Sequence, residues 1–356
     1  MTAVEAQRLA FLYAWGPAVF EVARILVKEK ILATIDSQSD GMSAEQIAHY
    51  LNWSMTSTDA LLEAALTTRI LEKNEQNKYI LTKIGWIMLH NDMIEVDMDF
   101  MQHVNYHNFH HLQQALTTNQ PVGLNRQGWK NIYEALSHLP APTRQAWLNY
   151  DHYHSDNSFD AAISIMSQNG HQHVLDVGGN TGEWALKYVQ HNPQAHVTVC
   201  DLPEQITMMH QAINGQPGAE QIQGLGLDLM DDNATWPQQY DAVWISQLLM
   251  CFPQETSIRI LKHVKQALRQ NGKLYLMEVV WDQQRPPAAA FCQTMNSLYF
   301  IATASGNNKM LSKDELENLI HQAGMNIEAV HKELGIGGHW MWEVINVNEN
   351  DNANVN

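Results

Sequence analysis

The sequence predicts an α/β protein, a doubly wound and mostly parallel sheet preceded by an all-helical domain. Three observations carry this. Between His173 and Leu202 the chain reads as strand, glycine turn, helix and strand. An apolar run at Val174–Val177 encloses Asp176, the turn Gly178-Gly179-Asn180-Thr181-Gly182 follows, an amphipathic stretch covers Glu183 to Gln190, and β-branched residues at Val197–Val199 lead to Asp201. Further on, Tyr240–Ser246 and Lys273–Val280 are continuous apolar runs, as expected of strands buried on both faces. Ahead of all this, residues 1–154 show helical periodicity with a single short strand signal at Lys78–Thr82.

Residues 1–35 read as two helices, the second opening at Pro17, whose fixed φ suits a first turn. The stretch Leu9–Phe20 mimics a signal-peptide core. Against that, Glu5 lies in its flank, no small-residue cleavage site follows, and the amphipathic pattern continues through Val22, Ile25 and Leu26. Apolar residues here outnumber what one small domain buries, which predicts a homodimer interface. Ser43 is expected to cap a helix at 44–51 and Ser57 a longer one at 58–71, with Lys78–Thr82 as the wing of a winged helix. The would-be recognition helix carries Asp59 and Glu63 against Arg69 alone, and the net charge of the 356 residues is -17. Nucleic acid and anionic membrane surfaces are therefore excluded as partners, and the winged helix is assigned to dimer packing.

From Met88 to Leu148 the pattern is helical and rich in His, Trp and Tyr. His103 and His107, with His110 or His111, fall along one helical face. No carboxylate stands at ligand spacing, so they are expected to line a polar cavity or the surface, with no metal. The segment Tyr150–Asp156 ends the region, placed to fold over a bound ligand. The domains are thus expected at 1–154 and 155–347. Residues 348–356 are too polar to bury and predict a disordered tail. Cys200, Cys251 and Cys292 make an odd set without paired spacing, which predicts reduced thiols in a cytoplasmic protein.

The glycine turn suits a dinucleotide or S-adenosylmethionine, since glycines let a ligand approach the backbone above the strand ends. Asp176 separates the two. A carboxylate inside the preceding strand repels a pyrophosphate, whereas the α-ammonium of S-adenosylmethionine favours one nearby. Asp201, about twenty residues beyond the glycines, is placed to meet a ribose diol.

The order of parts, with Leu175-Asp176-Val177-Gly178-Gly179, Asp201-Leu202-Pro203, Ile260-Leu261, Ala267-Leu268, Gly272-Lys273 and Ala323-Gly324, resembles the dimeric S-adenosylmethionine-dependent small-molecule O-methyltransferases of plant phenolic and bacterial natural-product pathways. The resemblance implies a Rossmann-like methyltransferase sheet behind an N-terminal winged-helix dimerisation domain. It implies that Gly178, Gly179, Asn180 and Gly182 hold the methionine end of the donor, Asp201 the ribose, Leu202 and Leu229 the adenine faces and Asp228 its amino group. Ser246 stands where the family commonly has Lys, with Gln247 beside it.

The acceptor end departs from the family. Its base, a His nine residues past the strand-opening Asp, falls on Met250, and the Asp after it on Cys251. Of the two flanking carboxylates, one matches Glu278 and the other falls on Met310. Thioethers move no protons. Three openings follow: an acceptor already acidic, a base recruited from His152, His154 or the His103/His107 stretch, or methylation at a ring carbon ortho to a phenol. The expected site is Glu278, His152 and His107 for proton handling, with Met250, Tyr299, Met310 and His103 lining a flat pocket for a small aromatic acceptor, free or carrier-bound. An alternative keeps S-adenosylmethionine as an electrostatic aid to hydroxylation or rearrangement.

Overall fold

The computed structural model describes residues 1–231 and 233–346; the expected tail at 348–356 lies outside them. Contacts divide the chain into two compact units, Met1–Met101 and the residues from Gln102 onward. The helix Ala141–Ser155, expected in the first domain, therefore falls in the second unit, where its side chains bond to the glycine turn.

In the first unit, Thr2 and Glu5 form a capping box that starts the helix Ala3–Ala14, and Pro17 opens the first turn of Gly16–Lys28. Ser43 caps Ala44–Leu51, with Gln46 returning the bond to the Ser43 amide. The next helix differs from expectation at both ends. Ser54, not Ser57, is its N-cap, and it runs Met55–Thr67. It stops because the Thr68 hydroxyl bonds to the Ala64 carbonyl and Arg69 turns left-handed at φ 61°. That frees Leu71–Lys73 as β1, antiparallel to β2 at Tyr79–Leu81, the strand of the wing expected at Lys78–Thr82. Leu26, Leu32, Ile35, Ile47 and Leu62 form the unit's core. Val4, Phe11, Tyr13 and Trp15 stay exposed. Among the described residues no single helix is long and apolar enough to cross a membrane; Ala3–Ala14 and Gly16–Lys28 pass only as a pair bent by 82°.

The second unit holds a seven-stranded sheet: β3 His173–Val177, β4 His196–Asp201, β5 Ile222–Gly226, β6 Tyr240–Ser246, β7 Leu268–Glu278, β8 Met325–Leu334 and β9 His339–Asn346. Their spatial order is β5-β4-β3-β6-β7-β9-β8, parallel except where β9 pairs antiparallel with β7 and β8. The chain runs outward from β3 to β5 and returns to the other side of β3, making the β3/β6 boundary the switch point where such sheets bind ligands. Asn271-Gly272 lies inside β7, where the register slips between Tyr240 and Ala242.

Strand periodicity then sorts the polar residues. Leu175, Val177, Val243, Ile245, Leu274 and Leu276 pack into one core; Val174, Ala242, Trp244, Tyr275 and Met277 pack into another. Alternation places Asp176 and Ser246 on the Trp244 face of the sheet and Glu278 on the Leu276 face.

Candidate active site

The glycine turn above β3 is strained as a ligand loop requires. Gly178 and Gly182 take φ 77° and 79°, and Asn180 takes φ 50°, which Asn tolerates better than most residues. A Cβ on Gly179 would lie 2.4 Å from Asp176 Oδ2 and 2.7 Å from Val199. Backbone and carboxylate are thus in direct apposition.

Three carboxylates gather around this turn. Asp176 is 2% exposed, and its Oδ2 has no partner among the described residues. Burial, with Asp201 adding repulsion, pushes it well above the usual carboxylate range. Asp201 accepts from the Asn180 amide at 2.9 Å and the Leu202 amide at 2.7 Å, yet burial still raises it to about 6. Asp151 Oδ2 accepts from Asn180 Nδ2 at 2.9 Å and is raised chiefly by burial. Asn180 Oδ1 also lacks a partner among the described residues. Crowded acids and an orphaned carbonyl suit a ligand bearing cationic and N–H groups, which fits S-adenosylmethionine. Ser246 Oγ is buried without a partner among the described residues, and Gln247 takes φ 50° at the β6 end. Asp228 is exposed and caps the Met230 amide at 2.8 Å, while Leu229 packs into the sheet's core.

The acceptor end gathers around Glu278, which closes β7 at 1% exposure. Its Oε1 accepts from the Leu249 amide at 3.1 Å, in the single turn Leu249–Cys251 that holds Met250, and its Oε2 has no partner among the described residues. Burial drives this carboxyl to about 8 despite the backbone bonds that oppose it. Met250 and Met310 are buried. Asn308 Nδ2 donates to the Met250 carbonyl, and the Met310 amide donates to Ser297 Oγ at 3.2 Å. Tyr299, buried, accepts from Trp147 Nε1 at 2.8 Å. Burial raises the Tyr133 hydroxyl, and the Cys251 S–H faces the Gln247 carbonyl at 3.7 Å; burial pushes that thiol up to about 12.

The expected histidines scatter. His103 and His107 are exposed. Their common helical face is absent because Met101–Asn105 is a π-helix and Asn108–His111 a 3₁₀ turn, so the pitch changes between them. His152 does reach the glycine turn. Its Nε2 is 3.4 Å from Thr181 Oγ1, and Asp156, 3.1 Å from Nδ1, raises its pKa against the opposing effect of burial. Asp151 belongs to the segment Tyr150–Asp156 that the sequence placed to fold over a ligand, though not as an individual site residue; Tyr133 and Trp147 were not singled out.

A family model for an O-methyltransferase domain matches residues 109–326, and one for a Dimerisation2-like domain matches residues 7–79. The bacteriochlorophyllide d C-20 methyltransferase of Chlorobaculum tepidum is 24% identical over 164 residues, covering 45% of this chain and 47% of that protein. The chain thus spans about half the length of that curated relative. Among solved structures, mitomycin 7-O-methyltransferase MmcR superposes with TM-score 0.72 at 15% identity, covering 97% of this chain and 98% of its own. NcsB1, an O-methyltransferase solved with S-adenosylmethionine and 2-hydroxy-5-methyl naphthoic acid, gives 0.69 at 19% identity, with 93% and 96% covered.

Proposed function

Because the chain belongs to the O-methyltransferase domain family, a family of S-adenosylmethionine-dependent enzymes, we propose that it transfers a methyl group to a small aromatic acceptor of the phenol class. The observation that carries this reading is the free Oε2 of buried Glu278 beside the Leu249–Cys251 turn, on the sheet that bears the acid-lined glycine loop. When bound, S-adenosylmethionine supplies a methyl group made electrophilic by its sulfonium.

The residues divide the work. Asp176, Asn180 and Asp201 bind the donor's polar groups, while Gly178, Gly179 and Gly182 leave room for it against the backbone. Ser246 and Gln247 border it at the end of β6, with Leu202, Asp228 and Leu229 at the adenine side. Glu278 Oε2 takes the acceptor's hydroxyl proton. A carboxyl near 8 is a far better match to a phenol near 10 than an ordinary carboxylate near 4, so burial makes Glu278 a competent base. Tyr299, Met250 and Met310 hold the ring and exclude water.

With Met250 in the place of an imidazole, the atom we propose as methylated is the ring carbon ortho to the hydroxyl. Glu278 then takes the hydroxyl proton as the ortho carbon bonds to the methyl group and the methyl–sulfur bond breaks. It returns that proton to the oxygen as the displaced ring proton leaves to solvent, which restores the phenol. The carbon-directed activity in the name of the Chlorobaculum relative supports this choice. The Dimerisation2-like match, together with the exposed Val4, Phe11, Tyr13 and Trp15, supports a homodimer formed through the first unit. The test is to incubate the protein with a panel of phenols and donor carrying a ¹³C-methyl group, then assign the label by NMR. Label on ring carbon is the expected result. Label on oxygen alone refutes carbon transfer, and no labelled product with any phenol refutes the acceptor class.

A further inference from the structure

The helix Ala141–Ser155 touches both ends of the site. Asp151 bonds to Asn180 in the glycine turn, while Trp147, one turn earlier, donates to the Tyr299 hydroxyl on the acceptor side. Residues four apart share a helical face, so one surface of this helix addresses both. His152, next to Asp151, approaches Thr181.

Asp151 is therefore an acid delivered to the donor loop from outside the strand-turn-helix unit that forms it. Asn180 is the intermediary: its side-chain amide meets Asp151 and its backbone amide meets Asp201. His152, the neighbouring imidazole, pairs with Asp156 at 3.1 Å and also acts against the rise that burial gives Asp151. Among the described residues, the Asp151 side chain accepts its hydrogen bond from the neutral Asn180 amide. S-adenosylmethionine and its product S-adenosylhomocysteine present the same ribose, adenine, ammonium and carboxylate, and differ in one positive charge at sulfur. A carboxylate tied to the loop attracts the first more than the second.

We propose that Asp151, positioned by Asn180, gives the donor loop its preference for the sulfonium over the thioether product. Spent cofactor then leaves more readily than fresh donor. This rests on the assignment of the loop to S-adenosylmethionine made above.

The experiment is calorimetric titration of the full chain, wild type and variants, with each cofactor separately. Asp151→Asn keeps an oxygen to accept from Asn180 and removes only charge. It is expected to weaken S-adenosylmethionine by about tenfold and to leave S-adenosylhomocysteine within about twofold. Asn180→Gly suits the left-handed φ and releases the tether, so the ratio of the two affinities falls in the same direction. Equal weakening of both ligands by Asp151→Asn, or an unchanged ratio in both variants, overturns the proposal. Wild-type protein that binds neither ligand overturns the donor assignment itself.

Discussion

The donor and acceptor ends of the site lie above one sheet but are built from different materials. Around the glycine turn the protein concentrates Asp151, Asp176 and Asp201, left-handed backbone and an orphaned amide oxygen. Around Glu278 it places one carboxyl among sulfur and aromatic rings. The donor end must match a ligand of fixed charge and shape, which demands many polar groups at set spacing. The acceptor end must desolvate a ring and manage one proton, for which a single buried acid suffices. On the proposed assignment, Met250 in the place of the family's imidazole leaves Glu278 as the proton carrier.

Glu278→Gln cuts most sharply between the two ends. It is expected to lower kcat by about 10²–10⁴-fold while leaving donor affinity within about twofold, as initial rates and calorimetry would show. A comparable loss of donor affinity would mean that the ends are not separable. In the wild type, the carboxyl must be ionised to accept a proton, and its pKa is raised to about 8. Rate therefore climbs with pH toward 8, roughly tenfold per unit below it, and flattens above. A rate that falls through that range would recast Glu278 as a proton donor.

Gly179→Ala attacks the other side. Its Cβ would sit 2.4 Å from Asp176 Oδ2, so the turn must shift. A strain of about 1–3 kcal/mol corresponds to roughly 5–150-fold weaker donor binding. Acceptor binding, followed separately by fluorescence quenching, should be unaffected.

Met250→His restores an imidazole beside Glu278. If the acceptor end is aligned as proposed, methyl ethers of the phenol appear at the expense of the ring-methylated product, with a change in product ratio of about tenfold. Identical products from both proteins would place Met250 away from the acceptor.

The smallest effect is the pH dependence of donor binding. Asp201, raised to about 6, is neutral below that pH and attracts a cationic ligand only above it. Affinity should rise about three- to tenfold between pH 5 and 7 by calorimetry. Without ligand the sign reverses for stability. The native state holds this proton more tightly than the unfolded chain, so the contribution is full below the unfolded pKa near 4 and is lost as pH rises through 6. The donor-induced rise in Tm should accordingly be larger at pH 7 than at pH 5.

Much of this architecture is local and was open to reading from the chain. The apolar run Tyr240–Ser246 became β6 with both bounds as expected, Ser43 capped its helix, and the strand-turn-helix-strand around Gly178 appeared in order. Period-two alternation and capping bonds act within a few residues, so sequence determined them by itself. Asp176 and Glu278 end up buried because each sits inside such an apolar run, a placement that is local as well.

Other features depended on packing at long range. The sequence placed the segment Tyr150–Asp156 over a ligand but did not say that Asp151 within it would meet Asn180, twenty-nine positions away, or that Trp147 would reach Tyr299. The histidines of 103–111 read as one stripe only while the helix keeps a single pitch, and here a π-helix gives way to a 3₁₀ turn. By itself the sequence determined the strands, the glycine turn and the acids those strands carry. Which outside helix would supply the third acid, and which expected base would be left on the surface, only the tertiary structure decided, because those outcomes depend on contacts between segments far apart in the chain.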